Sequence, residues 1–354
     1  MDLGELRKEI AVTDKKILGL VNERYRLSEE IAKFRENGGS YVPEDEKKAI
    51  SELLSANKGP ALKNTVGAVF REIFSGSLAI ERQLKVAFLG PEATFSHLAA
   101  LAKFGRSVHF EPKSNIADVF RDVETCHVDF GCVPVENSTE GAVNHTLDMF
   151  LDSSVFIRDE INLKIHHNLM AKCPFDKIKK VYSHVQVLGQ CRNWLLANLP
   201  HADIIEASSS TKAAEIAVTE EGSAAIASTL AAELYKLEIL ATNIEDNPHN
   251  ITRFMILGRE EPQSSGADKT SICFAIKDRV GALYDCLLPF KEEELTLTMI
   301  ESRPSKRRKW EYFFFMDLLG HRTDEKVMRA IDKLENMAQS LRVLGSYPRS
   351  PGEQ

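Results

Sequence analysis

Residues 247–254 read NPHNITRF, and the apolar run Met255–Leu257 follows directly. Polar side chains crowded into this short stretch thus lead into a segment with the composition of a buried strand. Buried polar groups need hydrogen-bond partners. The cluster therefore indicates either a ligand site or a loop whose side chains cap its own turns. Similar polar loops upstream favour a ligand site.

Upstream of this stretch, the sequence repeats one pattern: a strand, then a loop with hydroxyl or amide side chains, then the start of a helix. In an open α/β sheet such loops gather at the carboxyl ends of the strands, where helix N-termini attract anions. One such loop alone is an ordinary N-cap. Together with NPHNITRF, they predict a polar cleft that holds a small anion. The loops are PEATFS (91–96), ENSTEG (136–141), SSST (208–211) and those that start at Ser183 and Ser228.

The composition excludes several other classes of function. The chain has 354 residues and a net charge of −7, with no basic stripe interleaved with aromatic residues, which argues against a nucleic-acid partner. It shows neither a signal-peptide core nor an apolar run that could span a membrane. Its six cysteines form no CxxC pair, and no nucleotide-binding glycine motif is present. We therefore expect a cytoplasmic protein of two or three domains, without metal or cofactor.

The first 84 residues predict three helices, over 3–36, 43–56 and 61–83. Arg24 and Arg35 fall within an apolar stripe of the first helix, only about 20° apart around its axis. Arg7 points about 100° away from Arg24, towards the edge of the stripe and a neighbouring protomer. The stripe consists of Leu6, Ile10, Ile17, Leu20, Leu27 and Ile31.

Two interpretations of these arginines stay open at this point. In the first, the arginines belong to an ordinary helical hairpin, and their long side chains extend to reach water or pair with glutamates. Alternatively, they form a site for a small dicarboxylate, because arginines that cannot reach water need anions.

The same segment resembles the all-helical chorismate mutase domain, in which three helices per chain intertwine as a dimer. ELRKEI (5–10), NER (22–24) and the run from FREI to SLAIE (70–81) carry the resemblance. It implies that cations and polar groups bind the substrate. These are Arg7 of the partner chain, Arg24 and Arg35, with Glu46, Ser77 and Glu81 as polar contacts.

Three positions depart from that family pattern. Arg35 stands where the family usually has lysine, Val42 replaces an acid, and Asp45 replaces an arginine. Reversing a charge beside a dianionic substrate weakens binding by about 1 kcal/mol or more per close pair. We therefore expect a weakened mutase.

The loops named above carry a second resemblance. GPEATFS, VPVENSTEGAVN, YSHVQVLGQC, SSSTKAA and NPHNITRF, in this order, are similar to the prephenate dehydratase family. The resemblance implies a two-lobed α/β fold, like that of periplasmic binding proteins, with the active site between the lobes. It also implies conversion of prephenate to phenylpyruvate, water and carbon dioxide without a cofactor.

Carried over residue by residue, the resemblance assigns roles in the cleft. Thr252 would protonate the departing hydroxyl, Arg253 would hold a carboxylate, and Phe254 would form an apolar wall. Ala93 replaces a glycine, which costs about 1 kcal/mol if its φ is positive. The other residues that would line the cleft are Asn137, Ser138, Ser183, Gln190, Ser210 and Thr211.

Residues 270–354 predict the order βαββαβ, hence an α+β ferredoxin-like sheet, after a polar linker at 259–269. They resemble the ACT domain attached to prephenate dehydratases, through GAL (Gly281, Ala282, Leu283) and ESRP (Glu301, Ser302, Arg303, Pro304). This implies that phenylalanine binds there and inhibits the enzyme. Thr296 stands where the family often has asparagine. Without the resemblance, a plain dimerisation module fits equally.

The sequence thus predicts a helical domain at 1–84, a dehydratase domain at 85–258 and a regulatory domain at 270–354. We expect a phenylalanine-regulated enzyme acting on chorismate and prephenate, assembled as a homodimer or a tetramer. One alternative keeps the helical domain only as a dimerisation platform. Another, from a different class, is a non-catalytic protein that binds a small anion between two lobes.

Overall fold

The chain divides into two compact units, which are described separately below. The first comprises residues 1–86 and 101–110, and the second residues 87–100 and 111–354. Within the part of the chain described here, no helix is long and apolar enough to cross a membrane. The computed structural model describes residues 2–34, 43–81, 83–277, 279–304 and 312–350.

The first unit contains the three predicted helices, α1 (Leu3–Phe34), α2 (Pro43–Ala56) and α3 (Lys63–Glu81). None of the described residues covers the apolar stripe predicted on α1. Its six residues are between 42% exposed, at Leu6, and 65% exposed, at Leu20. Such a long apolar surface on one helix is typical of an interface with another chain.

Strands and helices alternate from residue 85 to residue 258, as predicted. A break at Cys191 divides the helix predicted after Ser183 into two. The elements are β1 (Lys85–Leu89), α4 (Phe95–Phe104), β2 (His109–Lys113), α5 (Ile116–Glu124), β3 (Phe130–Asn137), β4 (Gly141–Ala142), α6 (Asn144–Phe150), β5 (Phe156–Lys164), β6 (Asn168–Ala171), β7 (Lys180–Ser183), α7 (Val185–Gln190), α8 (Arg192–Asn198), β8 (Asp203–Glu206), α9 (Ser210–Thr219), β9 (Ser223–Ala227), α10 (Thr229–Tyr235), β10 (Glu238–Ala241) and β11 (Ile251–Gly258).

These strands form two sheets, in agreement with the two predicted lobes. The first sheet has the order β2-β1-β3-β11-β5, with β4 beside β3, and the second has the order β10-β6-β9-β7-β8. Strand β11 is antiparallel to both neighbours, and its Thr252 lies opposite Asn137 of β3. Strands β7, β8 and β9 are parallel, so the loops that follow them emerge at one edge.

The remaining residues form β12 (Asp268–Ile276), α11 (Ala282–Glu292), β13 (Leu297–Pro304), β14 (Tyr312–Leu319), α12 (Glu325–Met337) and β15 (Ser340–Pro348). The strands build an antiparallel sheet in the order β13-β14-β12-β15. Because β12 already starts at Asp268, the predicted linker ends earlier than expected. The predicted domain boundaries stay predictions.

The C-terminal sheet packs directly on the sheet that contains β11. Met255 and Leu257 share one buried cluster with Phe315, Leu344 and other residues of the C-terminal sheet. At Gly345 the two backbones approach so closely that a Cβ there would lie 2.3 Å from the carbonyl oxygen of Ile157. Only glycine fits this contact.

The backbone of Ala93, in the loop after β1, has a φ of +62°. Left-handed backbone is unfavourable for a residue with a Cβ, so alanine is strained where the family pattern has glycine. Ala93 is also buried, at 3% exposure. The expected cost for a positive φ therefore applies.

We expect Ala93→Gly to raise the free energy of unfolding by about 0.5–1 kcal/mol, because glycine adopts this φ without strain. Denaturant unfolding of both proteins measures the difference. Asn243→Gly is the matched control: Asn243 also has a positive φ, 53°, but asparagine tolerates it better and should gain less. A loss of stability in Ala93→Gly would contradict the assignment of strain to this residue.

Candidate active site

The side chain of Asn137, at the end of β3, is held in one orientation by the backbone. Its Oδ1 accepts hydrogen bonds from the N–H groups of Thr139, at 2.9 Å, and Glu140, at 3.0 Å. A backbone N–H can only donate, so the amide cannot be flipped. The Nδ2 group of Asn137 must therefore face the other way.

There it meets the hydroxyl of Thr252. Asn137 Nδ2 donates to Thr252 Oγ1 at 2.7 Å and to Asn250 Oδ1 at 2.8 Å. Because Thr252 Oγ1 accepts in this bond, its own proton stays available for another oxygen. The described residues offer that proton no acceptor within hydrogen-bond distance. Thr252 is half-buried and oriented as a hydrogen-bond donor.

The hydrogen bonds continue from Asn250 to Gln190, the last residue of α7, and to His167, which precedes β6. Asn250 Nδ2 donates to Gln190 Oε1 at 3.0 Å, and the Nε2 atom of His167 lies 2.8 Å from the same oxygen. Gln190 Nε2 donates to Glu140 Oε1 at 3.3 Å. We call Thr252, Asn137, Asn250, Gln190 and His167 the hydrogen-bond chain. Each amide in it can adopt only one orientation, because Asn137 is fixed at one end.

A cavity of about 340 Å³ lies beside the hydrogen-bond chain. Most of the residues that line it carry a carboxylate or an amide, and none of the described residues that line it is a lysine or an arginine. Burial opposes ionisation of Glu245, but hydrogen bonds from the His167 N–H and the His166 ring hold its pKa below the usual value. The lining residues are Thr139, Glu140, Gln186, Gly189, Gln190, Glu245, Asp246, Asn247 and Asn250.

The predicted serine and threonine loops also come together. Thr211 Oγ1 donates to the carbonyl oxygen of Glu92 at 2.9 Å, and Ser228 Oγ donates to that of Ala93 at 2.8 Å. Ser183 Oγ lies 3.3 Å from Ser210 Oγ, the first residue of α9, and donates to a backbone carbonyl at 2.6 Å. Loops of both sheets thus meet, as the sequence predicted.

Two of the predicted cleft residues contact other parts of the protein. Ser138 Oγ accepts from the N–H of Ile251 at 3.0 Å and donates to the carbonyl of His249 at 3.3 Å. It ties the loop after β3 to the start of β11. Phe254 is 1% exposed, so it fills the core rather than forming an accessible wall.

Arg253 requires a correction, because it does not face the cavity. Nε donates to Glu160 Oε2 at 2.8 Å, Nη1 to Asp317 Oδ2 at 2.6 Å and Nη2 to Tyr347 Oη at 3.0 Å. Neighbouring residues of a strand point to opposite faces, so Arg253 points away from Thr252 towards the C-terminal sheet. Burial disfavours its charge, but Asp317, Tyr347 and Glu160 keep its pKa well above the usual value. The structure gives no support to its predicted role of holding a substrate carboxylate.

In the first unit, the structure brings together part of the predicted mutase site. The Arg24 guanidinium donates to Ser77 Oγ and lies over the ring of Phe74, 4.5 Å from its centroid. Arg7 is exposed, and Glu81 is half-buried at the end of α3. Arg35 lies outside the described residues, as does the side chain of Glu46.

The predicted regulatory residues lie at two places in the C-terminal sheet. Gly281, with φ of 79°, precedes α11, which starts with the buried Ala282; Leu283 packs against the core. The other four, Glu301, Ser302, Arg303 and Pro304, end the edge strand β13. Arg303 is not oriented towards an effector, since it donates to both carboxylate oxygens of Asp148, at 3.0 and 3.2 Å.

Sequence reasoning missed His167, which is 1% exposed. The doublet His166-His167 has no metal-ligand spacing and lies in strand-like sequence, which gives no signal of a role. Asn250 lies within NPHNITRF, but the sequence pattern assigns it no role. Within the described residues, no group of three or more His, Cys, Asp or Glu side chains could hold a metal ion.

Comparison with protein families agrees with both resemblances. A family model described as prephenate dehydratase matches residues 86–262, and one described as chorismate mutase type II matches residues 6–82. Together the two models cover the helical unit and the strands of both lobes.

Three relatives extend the agreement over most of the chain. A bifunctional chorismate mutase/prephenate dehydratase of Aquifex aeolicus is 47% identical over 99% of this chain and 98% of its own. One from Stutzerimonas stutzeri is 45% identical over 98% of both chains. The crystal structure of a prephenate dehydratase from Arthrobacter aurescens in complex with L-Phe superposes with a TM-score of 0.71 at 33% identity, covering 76% of this chain and 92% of that one.

Replacing Asn137 by aspartate tests the orientation of the Thr252 hydroxyl. The backbone N–H groups would still find a carboxylate oxygen, but the other oxygen would accept the Thr252 proton. We expect kcat for prephenate turnover to fall by about a hundred-fold or more, since a hydrogen-bond donor in the active site is lost. Steady-state kinetics with prephenate measure this.

Asn198→Asp is the matched control. Asn198 is exposed and donates only to the carbonyl of Trp194, so the same chemical change should leave kcat unaltered. Normal turnover by Asn137→Asp would show that the direction of this hydrogen bond does not matter.

Proposed function

This chain belongs to the bifunctional chorismate mutase/prephenate dehydratase family, and we propose how its residues perform and regulate the two reactions. It rearranges chorismate to prephenate, and converts prephenate to phenylpyruvate, water and carbon dioxide. Thr252 supplies the proton for the second reaction, and phenylalanine inhibits it. The observation that carries the role of Thr252 is the hydrogen bond from Asn137, which leaves the threonine proton as the free donor.

The dehydration requires little from the protein beyond position and exclusion of water. When the bond between the ring and the departing carboxylate breaks, its electron pair forms the aromatic ring and expels the hydroxyl on the opposite carbon. Thr252 donates its proton to that oxygen, so that water leaves, and solvent returns a proton to Thr252. Threonine is a weak acid, so its contribution rests on position rather than on a matched pKa.

The mutase reaction belongs to the helical unit. The Arg24 guanidinium donates to Ser77 and lies over Phe74, so it is held as a fixed cation for a substrate carboxylate. Arg7 completes the site of the neighbouring protomer, with Arg35, Glu46 and Glu81 as further contacts. The exposed stripe on α1 supports the intertwined dimer that this requires. Asp45 weakens the mutase relative to a family member with arginine there.

We propose that residues 270–354 form an ACT domain that binds phenylalanine. Counted within this domain, its strands lie in the order 2-3-1-4, which is the ferredoxin-like order for a βαββαβ chain. The Arthrobacter aurescens relative was crystallised in complex with L-Phe. GAL and the ESRP residues other than Arg303 are the proposed contacts, whereas Arg303 links this domain to Asp148 of α6. A cytoplasmic location agrees with six free cysteines.

Two assays test the function. Purified protein receives chorismate in one tube and prephenate in the other, with and without phenylalanine, and phenylpyruvate is followed. We expect product from both substrates and less product when phenylalanine is present. Product from prephenate alone would mean that the helical unit serves only as a dimerisation platform. Product from neither would favour a non-catalytic anion-binding protein.

Thr252→Ala tests the proton donor. It should lower kcat for prephenate by about 10²–10⁴-fold, the usual contribution of a positioned acid. Thr252→Ser keeps the hydroxyl and should retain most of the activity. The mutase serves as the internal control, because the change lies in the other unit. Near-normal dehydration by Thr252→Ala would remove the role assigned to Thr252.

The dimer makes a separate prediction. Leu20→Glu places a charge in the exposed stripe of α1, where an interface would bury it without a partner. We expect dissociation in sedimentation-velocity runs and loss of the mutase, which needs Arg7 of the neighbouring protomer. Lys15→Glu, on the opposite face of α1, is the control and should not dissociate. A Leu20→Glu protein of unchanged size would contradict the interface.

A further inference from the structure

The far end of the hydrogen-bond chain fixes the tautomer of a buried histidine. Gln190 Oε1 accepts from Asn250 Nδ2 and faces His167 Nε2 at 2.8 Å. Because this atom of Gln190 is an oxygen, His167 Nε2 must carry a proton. The other ring nitrogen, Nδ1, is buried without a hydrogen-bond partner. A lone pair there is far cheaper to leave unpartnered than an N–H group.

The surroundings of His167 keep the ring neutral. Burial lowers its pKa, and the charge of His166 acts in the same direction, while the bond to Gln190 and the charge of Glu245 oppose this. Glu245 accepts from the backbone N–H of His167 at 2.9 Å rather than from its ring. The edge of the ring contacts Phe95, with centroids 5.5 Å apart. Glu140, beyond Gln190, is the remaining charged neighbour on this path.

We propose that His167 is a positioning residue for prephenate dehydration: its Nε2–H holds the Gln190 amide in place, and Gln190, through Asn250, keeps Asn137 at hydrogen-bond distance from the Thr252 hydroxyl. The inference rests on the proposed role of Thr252. His167 is 1% exposed, so it acts through other residues and not on the substrate.

Protonation of His167 would interrupt this arrangement. A second proton could only go to Nδ1, where it would lie buried without an acceptor. The ring would then have to turn or move, and Gln190 would lose its donor. Since the pKa of His167 is lowered in the folded protein, the active form persists below the usual pKa of histidine. It is lost as the pH falls further, through that lowered value.

The experiment compares two replacements. His167→Phe keeps a ring against Phe95 but removes the donor, while His167→Gln places an amide N–H where Nε2–H stood. We expect His167→Phe to lower kcat for prephenate by about ten- to a hundred-fold, as misplaced catalytic groups do, with KM little changed. His167→Gln should recover most of this loss. It should also lose the acid limb of the kcat–pH profile, because glutamine does not titrate.

His201→Gln is the control, since His201 is exposed; it should keep the wild-type kcat and acid limb. Normal kcat in His167→Phe, or an unchanged acid limb in His167→Gln, would overturn the proposal. If Thr252→Ala is inactive while His167→Phe is normal, only the role of His167 fails. If Thr252→Ala is itself normal, the proposed function fails as well.

A measurement on the wild-type protein covers the case in which a variant does not fold. Nitrogen-15 chemical shifts of labelled histidine report which ring nitrogen carries the proton. At neutral pH we expect His167 as the neutral Nε2–H tautomer. A proton on Nδ1, in either the other neutral tautomer or the imidazolium, would overturn the proposal.

Discussion

The strand that carries Thr252 is held from behind by a buried cluster of charges. Arg253 pairs with Glu160 and Asp317, and Lys269 lies 3.1 Å from Glu160. Two buried cations thus face two buried carboxylates, the half-exposed Glu136 lies 4.0 Å from Arg253, and Tyr347 supplies a further bond to Arg253. Removing one partner from such a buried group costs about 3–5 kcal/mol, because the other charges stay desolvated. The contact between the lobe and the C-terminal sheet depends on these ion pairs.

The alternation of a β-strand gives this cluster its importance for the active site. Thr252 and Arg253 are neighbours, so one faces Asn137 and the other faces Asp317 of β14. A shift of β14 would therefore act on the residue next to the proposed proton donor. Arg303, paired with Asp148, and Arg342, which donates to the carbonyls of Phe150 and Val155, join the C-terminal sheet to the lobe elsewhere. The C-terminal sheet therefore contacts the strand that carries Thr252 directly, and is not joined to it by a linker alone.

The sequence predicted those features that local patterns determine. Helix stripes, strand runs and the polar loops follow from periodicity and turn chemistry, and the structure contains them. It could not predict the direction of Arg253, whose partners stand 64 to 94 residues away in sequence. Phe254 was misplaced for the same reason, since the motif does not show which face of β11 is covered. A role for His167 can be inferred only from the structure, in which Gln190 lies beside it and Asn250 donates to Gln190.

Because Arg253 is buried behind the strand, it does not supply the cation that the sequence predicted beside the substrate carboxylate. None of the described residues lining the cavity is a cation, whereas Glu140, Glu245 and Asp246 contribute negative charge. A cation beside the departing carboxylate would stabilise the reactant charge that the reaction has to remove. Loss of carbon dioxide is favoured where that carboxylate is poorly solvated. An arginine buried behind the strand does not oppose this step, so in the proposed mechanism hydroxyl and N–H donors around the cleft orient the substrate.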